Sequence, residues 1–345
     1  MKKLYILFNL LCVSQINGGN ADFKFNQSEV LTKKVPIVFH ANYDISLCGL
    51  EKLHPFDTKK YGKIAQYLRA AFNLSLKNFY QPTKISDSDL NLVHTAAYLE
   101  SLQDSAVVAK ISEVWPLRYL PNFLLQRNLL DSMRYATAGT VLGAELAMQY
   151  GWAINLAGGY HHAKKDNGEG FCFFADIPLA IKKLRVVNPD LKVLIVDLDA
   201  HQGNGLESIL GTDPQTYIFD MYSQNNYPYD VAVYQYIDFN HPLPDWIANE
   251  VYLAILKTNL PSAIEAVKPD LIIYNAGTDP FEKDPLGKMK ITAQGIMGRD
   301  AFVWTQAFAH KIPILMVLSG GYSAESAQIV GTSVKKIIKQ FKLIP

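Results

Sequence analysis

The segment Val193-Leu194-Ile195-Val196-Asp197-Leu198-Asp199-Ala200-His201-Gln202-Gly203-Asn204-Gly205 passes in one step from an apolar run to two carboxylates, an imidazole and glycines. Val193 to Val196 is short, uninterrupted and largely β-branched, the composition of a strand covered on both faces in a parallel sheet. Side chains alternate along a strand, so Asp197, Asp199 and His201 share one side if the extended geometry runs to the strand's end. Two carboxylates held together in a low-dielectric site repel, and a raised pKa or a bound cation relieves them. With a histidine beside them the cation is favoured, and mixed oxygen and nitrogen donors suit Zn²⁺ or Fe²⁺ better than Ca²⁺. A salt-bridged strand end with a capping aspartate and a structural histidine would use the same residues, and the other strand ends separate the two cases.

The chain has 345 residues, 49% hydrophobic and 19% charged, enough for one large α/β domain or two small ones. No linker rich in Pro, Ser or Gly and no charge block divides it, which favours one domain. The formal charge is +1 with no basic run beyond Lys-Lys pairs, so composition gives nucleic-acid binding no support. Lys2-Lys3 precede the apolar Leu4 to Val13 and a polar stretch ending at Ala21, a pattern similar to a secretory signal peptide over residues 1–21. It is short for a membrane span, and an apolar N-terminal strand or helix packed on the body would read the same way. Export follows from the first case and a cytoplasmic protein from the second. Of three cysteines, Cys12 lies in that apolar segment, and Cys48 and Cys172 fit no metal or redox spacing, which leaves them as buried thiols.

Periodicity orders the rest of the chain. Val35 to Phe39 reads as a first strand, Lys59 to Phe72 as a helix, and Ser86-Asp87-Ser88-Asp89 as the capped start of a helix running through Leu90, Val93, Ala97 and Leu102. His94 within it reads as a packed or hydrogen-bonded residue. Asn122 to Gln149 suggests one long or two shorter helices. Strands then follow at Trp152 to Leu156, Val193, Thr216 to Met221, Leu271 to Tyr274 and Ile314 to Leu318. Between and after them come helices at Pro178 to Val187, Trp246 to Val267, Ala293 to Ala309 and Ala324 to Phe341. This alternation predicts an α/β fold, a mostly parallel sheet with helices on both faces and ligands beyond the carboxyl ends of the strands.

Those ends carry the chemistry: Gly158-Gly159-Tyr160-His161-His162, Asp197 to His201, Asn275-Ala276-Gly277-Thr278-Asp279 and Ser319-Gly320-Gly321-Tyr322. Asp199, His201 and Asp279 can supply the three protein ligands of a catalytic zinc that keeps one position open. The reaction class is metal-assisted hydrolysis. His161 and His162 offer a general base and a general acid near the working pH, and Asp197 can orient one of the imidazoles. Tyr322, on a Gly-Gly turn, can donate to a developing oxyanion.

The same residues resemble a known family. From about Val35 to Phe341 the chain is similar to class IV histone deacetylases, in the arginase/deacetylase superfamily. The likeness is carried by Gly49 to Asp57, Leu120 to Leu124, Gly151 to Asn155, Gly170-Phe171-Cys172 and the four strand ends above. It implies a single-domain arginase/deacetylase fold over residues 22–345 and hydrolysis of acyl-lysine on proteins or peptides. Asp199, His201 and Asp279 match the family's zinc ligands, His161 and His162 its tandem histidines, and Tyr322 its oxyanion-binding tyrosine. Phe171 and Tyr227 match the aromatic walls of the acyl-lysine tunnel, with Gly170, Leu286, Gly320 and Gly321 beside it, and their apolar faces suit a lysine stem. Structural K⁺ sites near the Asp197 strand, and a preference of class IV enzymes for long fatty acyl groups, are implied as well.

Two positions depart from the wider family. Many deacetylases carry aspartate where this chain has Asn204, the expected partner of His162, and a neutral amide holds an imidazole without raising its pKa as a carboxylate would. Ser319 stands where other classes have glycine, as in class IV. An arginase-like dinuclear hydrolase would need a carboxylate two residues after Asp279, where the chain has Phe281. A deacetylase of small amines such as acetylpolyamines would be favoured by acidic residues at the tunnel mouth, and a silent acyl-lysine binding module by missing ligands, none of which is missing. The sequence carries no indication of oligomeric state and no transmembrane span.

Overall fold

In the computed structural model, which describes residues 34–47 and 49–344, the short apolar runs become the inner strands of one sheet. The strands are β1 (Val35–Val38), β2 (Phe79–Tyr80), β3 (Trp152–Asn155), β4 (Val193–Asp197), β5 (Thr216–Ser223), β6 (Phe239–Leu243), β7 (Leu271–Asn275) and β8 (Ile314–Val317). Every pairing is parallel, in the order β2-β1-β3-β8-β7-β4-β5-β6. β3, β4, β7 and β8 are buried at every position, as strands covered on both faces must be. The longer helices are α1 (Lys60–Phe72), α2 (Asp131–Tyr150), α3 (Asp176–Arg185), α4 (Asn204–Leu210), α5 (Asn249–Val267), α6 (Ala293–Ala309) and α7 (Ser326–Gln340).

Register decides where the polar strand ends meet. Asn155 on β3 pairs with Val317 on β8, Val317 with Asn275 on β7, and Asn275 with Asp197 on β4. Four strands therefore stop level with one another, and their outgoing loops emerge along one edge of the sheet.

The fold matches the predicted α/β class, with two local differences. β2 has two residues and β6 contains Pro242, so neither carries the alternation or length that marks a strand, and both sit at the sheet edges. The helix expected from Ser86 through Leu102 is broken into Asp87–Leu90 and Ala96–Ser101. Thr95 caps the second piece and His94 lies in the intervening turn, its Nε2 accepting from the Ala175 amide at 2.9 Å. Asn122 to Tyr150 is one rod with a π-helical turn at Gln126–Leu130. Among the described residues no helix is long and apolar enough to cross a membrane. Cys172 is buried and free, while Cys12, Cys48 and the signal-like residues 1–21 lie outside the described residues.

Candidate active site

Two loops are clamped by one buried arginine. Arg299 on α6 donates from Nη1 to the carbonyls of Leu198 at 2.9 Å and Gly277 at 2.7 Å, tying the loop after β4 to the loop after β7. Asp300 neutralises it, at 2.9 Å from Nε and 2.8 Å from Nη2. The clamp brings Asp199, His201 and Asp279 together, all buried, with one donor atom of each within 4.8 Å of the others.

Each carboxylate is anchored by one oxygen and aimed by the other. Asp199 Oδ2 accepts from the Gly320 amide at 3.0 Å and the Ser319 hydroxyl at 2.9 Å, while Oδ1 lies 3.0 Å from His201 Nδ1. Asp279 Oδ1 accepts from the Ala200 amide at 2.8 Å, while Oδ2 lies 3.2 Å from the same His201 nitrogen. Burial and the neighbouring Asp199 charge push the Asp279 carboxyl up to about 7. Burial would lower His201, but hydrogen bonds to Asp199 and Asp279 override it and hold the imidazole up at about 10. Two acids competing for one proton on a shared ring form a cluster that a divalent cation fits in charge and in donor type.

The tandem histidines follow β3 on a turn held from behind. Asp176, at the start of α3, accepts from the amides of Gly159 and Tyr160, each at 2.8 Å, and from the Thr140 hydroxyl at 2.6 Å. His161 Nδ1 lies 2.9 Å from Asp197 Oδ2, and Asp197 Oδ1 accepts from Asn275 Nδ2 at 3.0 Å and the Asp199 amide at 3.1 Å. Only Asp197 lies within β4, so the expected alternation ends there, and Asp199 and His201 reach the site from the loop. His162 Nδ1 lies 2.8 Å from Asn204 Oδ1, and the two histidine rings sit 4.1 Å apart. Burial works against both charges. In His161 the Asp197 and Asp199 carboxylates overcome it and raise the imidazole to about 9, whereas His162, facing His161 and His201, is driven well below its ordinary value. The pair is thus split into one basic and one weakly basic imidazole, the division that acid and base roles require.

A depression leads to this cluster, lined by Glu113, Asn226 and the expected Gly170, Phe171, Tyr227 and Leu286, with His162, His201 and Tyr322 at its inner end. Gly170 has φ +54°, and a Cβ there would lie 2.6 Å from the His162 ring. A Cβ on Gly320 would land on Asp279 Oδ2, so the turn can approach the carboxylates only as glycine. Gly321, at φ +127°, packs against Thr278 and buried Lys60. Asp284 Oδ2 accepts from the Tyr322 amide at 2.6 Å, and the tyrosine ring stands 5.8 Å from Phe171 and 6.4 Å from His201. Tyr322 also lines a second cavity, with Tyr43, Phe56, Met133, Tyr160 and Cys172 among its walls.

Sequence reasoning missed Arg299, Asp176, Asp284, Lys60 and Glu113. Arg299 and Asp176 sit in or at helices where a lone charge ordinarily faces solvent, and no local pattern marks them as buried. Lys60 Nζ donates to the Gly320 carbonyl at 2.7 Å, a contact made across 260 residues.

A parallel sheet whose level strand ends gather an Asp-His-Asp cluster and a histidine pair is the arrangement of the arginase/deacetylase fold. Residues 54–339 match the profile of the histone deacetylase domain, and the protein belongs to the histone deacetylase family. It is 43% identical to histone deacetylase 2 of Arabidopsis thaliana over 90% of this chain and 81% of that one. An uncharacterized protein of Picosynechococcus is 32% identical over 86% of this chain and 94% of its own length. Human histone deacetylase 1 is 28% identical over 71% of this chain and 52% of its own.

Proposed function

We propose that the protein is a class IV, zinc-dependent lysine deacylase that hydrolyses acetyl or long-chain fatty acyl amides of lysine on proteins. The observation that carries this reading is the convergence of Asp199, His201 and Asp279 at the inner end of a depression walled by Phe171 and Tyr227. Asp199, His201 and Asp279 would hold the ion, Zn²⁺ or with the same donors Fe²⁺. Zinc supplies a Lewis acid that polarises the amide carbonyl and makes water a stronger acid. The lysine methylenes lie between the faces of Phe171 and Tyr227, beside Gly170 and Leu286. His162 Nε2 takes the proton of the attacking water, and the oxygen adds to the carbonyl carbon. The Tyr322 hydroxyl donates to the oxyanion that forms. As the C–N bond breaks, the amine leaves with a proton from His161, whose charge Asp197 supports.

Ser319 supports the class IV assignment. Support for a long acyl group comes from the second cavity at Tyr322 and an adjoining apolar pocket that shares Ile45, Phe56, Met133 and Phe171 with it. Each methylene buried there would add about 0.8 kcal/mol. A structural K⁺ near β4 is supported by three buried carboxylates gathered there, Asp220 paired with Asp197 across the sheet and Glu207 beside them. On this reading residues 22–345 form the catalytic domain, and a leader at 1–21 would be cut on export. Glu113 at the mouth gives one point to a small-amine deacetylase. Hydrolysis rates on one peptide carrying acetyl, octanoyl or myristoyl lysine, set against acetylspermidine, decide between them: rates rising with chain length support the deacylase, and faster turnover of acetylspermidine rejects it.

A further inference from the structure

Asn204 stands between two unlike sets of partners. One side of its amide meets His162 Nδ1 at 2.8 Å, and the other meets Glu169 Oε1 at 2.6 Å and Asp230 Oδ2 at 3.3 Å. Lys164 Nζ bridges the two carboxylates, 3.3 Å from Glu169 and 2.8 Å from Asp230, and that hydrogen bond holds Asp230 below the usual carboxylate range. An ionised carboxylate only accepts, so the Asn204 atom facing the acidic pair is the amide nitrogen. The amide oxygen is left for His162, whose Nδ1 must then carry the ring proton and whose Nε2 must hold the lone pair. Turning the amide over would present a donor to Nδ1, move the ring proton to Nε2 and remove the base.

We propose that Glu169 and Asp230, bridged by Lys164, are positioning residues that fix the orientation of the Asn204 amide and through it the tautomer of His162. A carboxylate at position 204 would need no such device, because both of its oxygens accept. An amide has one accepting and one donating end, and something must choose between them. Lys164 and Glu169 come from the loop after β3, Asn204 from the start of α4 and Asp230 from the loop after β5, so the network also joins three segments at the site. Its consequence for turnover rests on the proposed role of His162 as base, whereas the tautomer does not.

The test uses the zinc-loaded full chain with ¹⁵N-labelled histidine, the His162 signals being identified by difference against His162→Gln. The wild type is expected to show a protonated Nδ1 and a bare Nε2. Glu169→Leu removes the nearer acceptor, and it is expected to populate the other tautomer and to lower kcat about tenfold with little change in KM. Glu169→Gln keeps an acceptor oxygen and stays near wild type. Asn204→Asp sets a third carboxylate against the acidic pair and loses activity, while Asn204→Asp combined with Glu169→Gln again faces donor with acceptor and recovers most of the loss. A proton on His162 Nε2 in the wild type, or an unchanged tautomer in Glu169→Leu, overturns the proposal. If the wild type hydrolyses no acyl-lysine, the spectra still decide the network, so the two failures are read separately.

Discussion

The Ser319 hydroxyl lies 2.9 Å from Asp199 Oδ2, the oxygen of that carboxylate turned away from His201. Ser319 itself occupies the left-handed region at φ 44°, a conformation that favours glycine. The serine therefore accepts backbone strain in a position where its hydroxyl orients a carboxylate of the proposed metal site. Ser319→Gly is expected to keep the fold, with stability within about 1 kcal/mol of wild type, and to weaken zinc binding about 10- to 100-fold. Competition titration against a chelating indicator measures this, and unchanged affinity removes Ser319 from the support of the metal site.

Tyr322 stands over the cluster with its amide fixed by Asp284 and its ring between Phe171 and His201. Burial pushes its phenol well above the ordinary value, so it remains a proton-bearing donor across the working pH range. Tyr322→Phe is expected to retain zinc and substrate binding and to lose about 100- to 1000-fold in kcat. Steady-state kinetics with metal analysis check it, and wild-type turnover in the variant excludes the hydroxyl from the mechanism.

His94 is buried and accepts the Ala175 amide on Nε2, so protonating that nitrogen breaks the bond. Burial depresses its pKa from 6.5 to about 4. As pH falls the unfolded chain binds this proton first, so the contribution of neutral His94 is complete above about pH 6.5 and is lost progressively toward pH 4. By pH 5 the loss is about 2 kcal/mol. Urea unfolding at pH 7.5 and pH 5 is expected to show that drop in the wild type and a smaller one in His94→Gln. Equal pH dependence in the two proteins contradicts the assignment.

What could be read before the structure follows from how locally each feature is encoded. Strands such as Val193 to Val196 and helix Ala293–Ala309 announce themselves by apolar runs and periodicity, and the polar residues that follow four strand ends place the site along one edge of the sheet. The level register that makes those ends converge, and the Arg299 clamp across Leu198 and Gly277, are contacts between distant segments and leave no local trace. β2 and β6 were illegible for a different reason: at an edge the sheet tolerates two residues, or a proline, that an inner strand would not. Asn204 was visible as a substitution, but the acidic pair that gives it meaning lies 35 residues before it and 26 after it.

The central claim is that hydrolysis depends on an ion held by Asp199, His201 and Asp279. The most direct measurement is hydrolysis of an acyl-lysine peptide by the wild type and Asp279→Ala, each stripped with chelator and then titrated with zinc while bound metal is counted. The wild type is expected to fall silent on stripping and to recover in proportion to about one zinc per chain. Asp279→Ala is expected to retain little zinc and to remain inactive. Hydrolysis that persists in the stripped wild type, or in metal-free Asp279→Ala, would contradict the account.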